Sequence, residues 1–216
     1  MSIFIYLINK ADLMKNKIIN FSLFQKLFCD SCYGVVLFVL ILFSSCAKEI
    51  YQKADYTFYD QNFKLDNSTS LRTDGVYELK SIWTDEDGGK LKQPEDHRFY
   101  KFYPTGQCNL TLDSSFKIKT EKDYADVISK DFVKQKRTLF QAYYKFSGDR
   151  IVIESRVVQR RQFAYKYGYV KNDSLIIVKA GTHGKGTFAD SNFPSYYKEY
   201  YVFKPLALQN EKQPQW

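Results

Sequence analysis

The sequence is poor in the residues that carry most metal and nucleophile chemistry. Two histidines, His97 and His183, and four cysteines are all that 216 residues offer. A zinc site takes three or four ligands, chiefly His and Cys, so no metal site is expected. Neither histidine sits in a local signature that would support a Ser-His-Asp triad, and no cofactor motif takes its place. Five prolines and ten glycines exclude a collagen-like chain, and a hydrophobic fraction of 44% excludes a disordered one. The longest apolar run, from Val35 to Phe43, rises only about 14 Å as a helix. A hydrocarbon core of roughly 30 Å needs about 20 residues, so the run is too short to span a membrane.

That run has the length of a signal-peptide hydrophobic region, and Lys15, Lys17 and Lys26 provide the positive flank before it. Translation from Met14, with Lys15 and Lys17 directly after, would give a more compact leader than translation from Met1. The run closes on Phe43, Ser44, Ser45 and Cys46. Two small residues followed by cysteine resemble the lipobox of bacterial lipoproteins. The resemblance implies that Cys46 is acylated and becomes the mature N-terminus, with a membrane as partner through the lipid anchor. It implies a place in the cell envelope, at the outer membrane, on the periplasmic face or the cell surface. Lys48 and Glu49 faintly resemble surface-sorting signals. An ordinary signal peptide, or an uncleaved anchor, is the alternative. On the lipobox reading Cys29 and Cys32 are discarded despite their C-x-x-C spacing. Cys108 is then the lone thiol of the mature domain, expected as a small buried hydrophobe.

The chain carries 32 Lys and Arg against 24 Asp and Glu, a net charge of +8. Residues 1–46 divide from the rest as the leader. Residues 47–72 hold Asp, Asn, Ser and Thr among scattered aromatics with no sustained period and read as a tether, from which Tyr56, Phe58 and Tyr59 could dock as an extra strand. Residues 73–206 form the folded domain, and residues 207–216 a polar tail.

Within the domain, short runs rich in Tyr, Phe, Val and Ile alternate with turn residues. Strands are predicted over 76–85, 97–103, 107–112, 138–146, 150–158, 162–170, 174–180 and 196–204. Pro104-Thr105-Gly106, Ser147-Gly148-Asp149 and Lys171 to Asp173 mark tight turns. Between the third and fourth strands, Tyr124, Val127, Ile128 and Phe132 recur at helical spacing, which predicts one amphipathic helix over 121–135. The fold class is therefore all-β: an eight-stranded antiparallel up-and-down barrel with one inserted helix, closure removing the exposed edges. An open sandwich is the alternative.

Asp74-Gly75-Val76-Tyr77-Glu78-Leu79 opens the first strand, Phe102 to Gly106 forms an aromatic hairpin turn, and Tyr200, Val202 and Phe203 close the last strand. Together these resemble bacterial lipocalin-like lipoproteins over roughly 71–206, with Tyr77 at the family's tryptophan position. A barrel of this size either fills with side chains or holds one small ligand. The expected activity is binding, not catalysis, of a small hydrophobic or amphipathic molecule. The rival is a filled barrel whose outer surface meets an envelope protein partner. Aromatics are abundant, with 18 Tyr and 18 Phe. Tyrosine pairs an apolar body with a polar tip, and Trp83, Tyr143, Tyr165, Tyr167 and Tyr201 are the candidate ligand contacts.

Other chemistry is weaker. Glu154 and Glu199 fall on predicted strands and are the carboxylates available for glycosidase chemistry. The loop from Gly181 to Thr187 superficially resembles a phosphate loop, but Lys185 is followed by Gly186 and no helix follows. It reads as a mobile loop at the barrel rim that can gate a ligand. Lys134, Lys136, Arg137, Arg156, Arg160, Arg161 and Lys166 lie among aromatics, a combination that can bind single-stranded nucleic acid. For an exported domain solvated strand faces are preferred, and no nucleic acid partner is expected.

Overall fold

The computed structural model describes residues 53–66, 68–129, 141–157, 162–207, 213–214 and 216. Cys46, the hydrophobic run before it, and the basic residues 134, 136, 137, 160 and 161 lie outside them. Among the described residues no helix is long and apolar enough to cross a membrane.

Among the described residues nine strands follow in order: β1 (Gly75–Thr84), β2 (Leu91–Lys92), β3 (His97–Phe102), β4 (Gln107–Asp113), β5 (Gln141–Ser147), β6 (Arg150–Val157), β7 (Gln162–Lys171), β8 (Ser174–Gly181) and β9 (Tyr197–Pro205). All pairings are antiparallel. Eight strands run β1-β3-β4-β5-β6-β7-β8-β9, and β9 pairs back onto β1, which closes the barrel. The two-residue β2 lies outside the ring, against Ile82 and Trp83 of β1. The closing seam runs from Gly75 opposite Pro205 to Thr84 opposite Tyr197, with a bulge at Lys80. Gly75 is required there, because a Cβ would lie 2.1 Å from the Lys204 carbonyl oxygen.

The two ends of the barrel differ in their connections. At the base the strands turn tightly. Asn172 and Asp173 both take positive φ (49° and 57°), the hairpin geometry whose twist matches its strands. Gly106 turns β3 into β4 at φ 82°. At the other end, the mouth, long connections follow β1, β4 and β8. Helix α1 (Glu121–Val127) lies in the second of these, opened by a capping box in which Thr120 and Asp123 each accept from the other's backbone N–H. The helix begins where its periodicity predicts; the remainder of the predicted 121–135 span falls largely on residues outside those described.

Strand alternation gives the wall two apolar faces. The inner face carries Tyr77, Leu79, Tyr100, Phe102, Tyr144, Ile151, Ile153, Leu175, Ile177, Tyr201 and Phe203. The outer face carries Val76, Phe99, Tyr103, Tyr143, Val152, Tyr165 and Tyr167, and other segments of the chain cover it. Tyr56 packs tilted against Tyr143 at 4.9 Å and edge to face with Phe163 at 5.1 Å. Phe58 lies 6.0 Å from Tyr165, Phe193 lies 5.8 Å from Tyr167, and Tyr124 of α1 lies 5.0 Å from Phe99. Such ring pairs add about 0.5–1.5 kcal/mol each beyond the area they bury. Residues 53–58 thus lie against the outer wall as a single helical turn followed by irregular chain, where the sequence suggested an extra strand.

Candidate functional site

The lumen has two halves. In the base, Tyr77 meets Phe102 at 5.7 Å and Phe203 at 5.2 Å, and Phe102 meets Tyr144 at 5.2 Å, all edge to face. The Tyr144 hydroxyl donates to the Tyr103 carbonyl at 2.6 Å, so this ring brings its own partner into the core. Phe63 and Leu65 close the base from below. Phe63 lies so near the turn at Gly106 that a Cβ there would come within 2.9 Å of its ring. Large rings fill this half.

Toward the mouth the inner face changes. Cys108, Ala142, Ser155 and Ala164 are register neighbours across β4, β5, β6 and β7, so they form a row of small inward side chains. Cys108 and Ala142 are buried, while Ser155 and Ala164 are partly exposed. Ala180, opposite Lys166, is exposed, and so is Leu112 at 45%. Solvent therefore reaches this end of the lumen.

The other wall of the mouth is polar. Arg98 of β3 makes two hydrogen bonds to Asp96, at 2.8 and 3.0 Å, and reaches Glu199 of β9 at 3.5 Å. Glu199 is 8% exposed, and its two oxygens accept from the Tyr197 and Tyr201 hydroxyls at 2.8 Å each. Burial lowers the Arg98 pKa, but the Asp96 hydrogen bond and the neighbouring Tyr201 and Glu199 outweigh it and leave it above its ordinary value. Lys166 of β7 donates to the Tyr100 hydroxyl of β3 at 2.6 Å. Three strands separate β3 from β7 in either direction round the ring, so this hydrogen bond crosses the lumen as a diameter. Burial lowers the Lys166 pKa, Glu199 opposes that shift and Arg98 adds to it. Burial raises Tyr100 and Tyr201 well above the ordinary phenol value, with Glu199 adding to it, so both stay protonated.

Of the five tyrosine and tryptophan candidates, the structure places Tyr201 alone in the lumen. Trp83 points out at the rim, its Nε1 donating to the Gly89 carbonyl at 2.8 Å and its ring under Lys198. Tyr143, Tyr165 and Tyr167 face the outer wall, beneath Tyr56, Phe58 and Phe193. Glu154 and Glu199 lie on opposite faces of the wall and cannot act on one bond. Glu154 accepts instead from Phe58 N at 2.8 Å, the Thr57 hydroxyl at 2.6 Å and the Tyr165 hydroxyl at 3.1 Å, which pins the incoming chain. The loop from Gly181 to Thr187 leaves the mouth end but lies against the outer wall. Gly186 is buried there, with room for no Cβ between Phe58 and Tyr165. The basic group also divides, since Arg156 faces out and Lys166 faces in.

A second polar cluster sits outside the wall, under α1. Glu78 accepts from Tyr124 and Lys80 and lies 3.3 Å from Lys204, and His97 bridges Tyr124 at 3.1 Å to Asp113 at 3.4 Å. These contacts tie the helix to β1, β3, β4 and β9. His183 is exposed and far from this group in sequence.

Arg98, Tyr100, Lys166 and Tyr197 are the mouth residues that sequence reasoning missed as a group. The signal was parity: Arg98, Tyr100 and Phe102 share one face of β3, and Lys166 shares a face with Ala164 and Gly168. The fold is a closed eight-stranded antiparallel β-barrel with a filled base and a polar, partly exposed mouth. Compared with known proteins, the chain matches no family model, no curated protein and no solved structure.

Proposed function

We propose that the protein is a lipid-anchored envelope protein that binds a small hydrophobic or amphipathic molecule in the mouth half of its barrel. The observation that carries this reading is the contrast inside the lumen. Rings pack the base, whereas the mouth combines the small side chains of Ala142, Ser155 and Ala164 with the charges of Arg98, Lys166 and Glu199. Charged groups in a confined site cost several kcal/mol in desolvation, a cost with no benefit to folding that a better-packed apolar mouth would lack. The likeness of Phe43 to Cys46 to a lipobox supports the anchor, and the resemblance to lipocalin-like lipoproteins supports a binding role without catalysis.

The test is native mass spectrometry of the chain isolated from its own host's envelope, set against its denatured mass. A reproducible excess mass that disappears on denaturation is expected. A bare mass together with a failure to take up any added amphiphile would leave the filled-barrel interaction protein as the better reading. That rival draws on the exposed Leu91, Phe116 and Tyr196. For the anchor, Cys46→Ser is expected to abolish incorporation of labelled fatty acid and release the protein from membranes.

A further inference from the structure

The hydrogen-bond inventory of the mouth is unbalanced. Each Glu199 oxygen is occupied, by Tyr197 and Arg98 on one side and by Tyr201 on the other. Asp96 is held by Arg98. Lys166 therefore has no carboxylate within ion-pair distance among the described residues, and the Tyr100 hydroxyl is its one hydrogen-bond partner. An ammonium carries three hydrogens and a phenol one. Two hydrogens of Lys166 and the hydroxyl hydrogen of Tyr100, whose oxygen already accepts, have no protein acceptor among the described residues. Three donors thus converge at the floor of the mouth, where Lys166 is partly exposed and a ligand's acceptors would replace water on them.

Resting on the binding function proposed above, we propose that the ligand is an amphiphile with an anionic head group, received by Lys166 and Tyr100. Its apolar body lies along Ala142, Ser155 and Ala164 toward Leu112 at the rim. Along β7 the distance from Lys166 to the strand end at Gln162 is about 13 Å, which limits the body to a short chain. Arg98 stands nearer the rim and is already paired, so it adds positive field along the entry path, while Lys166 makes the direct contact.

Isothermal titration of the full chain with octanoate, octyl phosphate and octanol tests this. The anions are expected to bind about tenfold or more tightly than octanol, the scale of a charge-assisted hydrogen bond. Which anion binds tighter distinguishes a carboxylate head from a phosphate head. Lys166→Met is expected to erase that preference while octanol still binds, and Tyr100→Phe, which keeps the ring, to reduce it in part. Equal binding of all three ligands, or an anion preference that survives in Lys166→Met, overturns the head-group assignment and leaves the lumenal site standing. Absence of binding by all three to the unsubstituted chain overturns the lumenal site and the head-group assignment with it.

Discussion

The base and the mouth of the lumen are built on the same eight strands, yet they solve opposite problems. In the base, Tyr77, Phe102, Tyr144 and Phe203 fill the cross-section with rings 5.2 to 5.7 Å apart, and both hydroxyls meet backbone: that of Tyr144 donates to the Tyr103 carbonyl and that of Tyr77 accepts from the Arg72 N–H. In the mouth, side chains shrink to Ala and Ser on one wall while the other gathers charge. Rings fill one half of the lumen, and the other half, where binding is proposed, keeps small side chains and polar donors.

The sharpest way to break this contrast is to open the base. Tyr144→Ala removes a fully buried ring and its hydrogen bond, and is expected to cost about 3–5 kcal/mol, read as a fall in urea midpoint. Acid separates the outer wall from the mouth. Burial raises the Glu78 carboxyl, but hydrogen bonds from Lys80 and Tyr124 and the Lys80 and Lys204 charges outweigh it and bring its pKa to about 2. A carboxyl held below its unfolded value of 4.5 stabilises the fold above that pH, and the contribution is lost as pH falls from 4.5 toward 2. The loss is up to about 3 kcal/mol, and Glu78→Gln is expected to flatten the stability profile across that window. Glu154→Gln keeps an oxygen for the Phe58 N–H but removes the charge and turns the acceptor of the Thr57 and Tyr165 hydroxyls into a donor. A cost of about 1–3 kcal/mol is expected, with faster proteolysis within residues 53–66 and lumenal binding unchanged. At the small end, Ala164→Leu adds volume where solvent already reaches. Its effect on stability is expected to stay within about 0.5 kcal/mol, while titration with octanoate loses its heat; retained binding would place the ligand elsewhere.

All eight barrel strands were legible in the sequence, because turn residues such as Pro104 to Gly106 and Asn172-Asp173 bracket each run. The start of α1 was legible from its period. Facing was not. In β7, Phe163, Tyr165, Tyr167 and Tyr169 alternate with Ala164, Lys166, Gly168 and Val170. An aromatic stripe opposite a lysine suggests rings inside and charge outside, and the wall is turned the other way. What reverses it is nonlocal: Tyr56, Phe58 and Phe193 arrive from elsewhere in the chain and cover the rings. Alternation fixes which residues share a face, but the covering segments decide which face is buried against what. For the same reason Glu154 and Glu199, alike in sequence context, end on opposite sides of the wall.

The seam between β1 and β9 joins strands more than a hundred residues apart, and it is among the longest pairings in the ring. Contacts of such separation form slowly, because chain entropy must be spent before they return energy. A chain delivered from its N-terminus cannot close the ring until Tyr197–Pro205 has emerged. Until then β1 and β8 each carry a row of unpaired backbone groups, the condition in which strands pair with the wrong neighbour. Closure is therefore a late event tied to arrival of the last strand, and the interval before it is when the open edges are most exposed to mispairing.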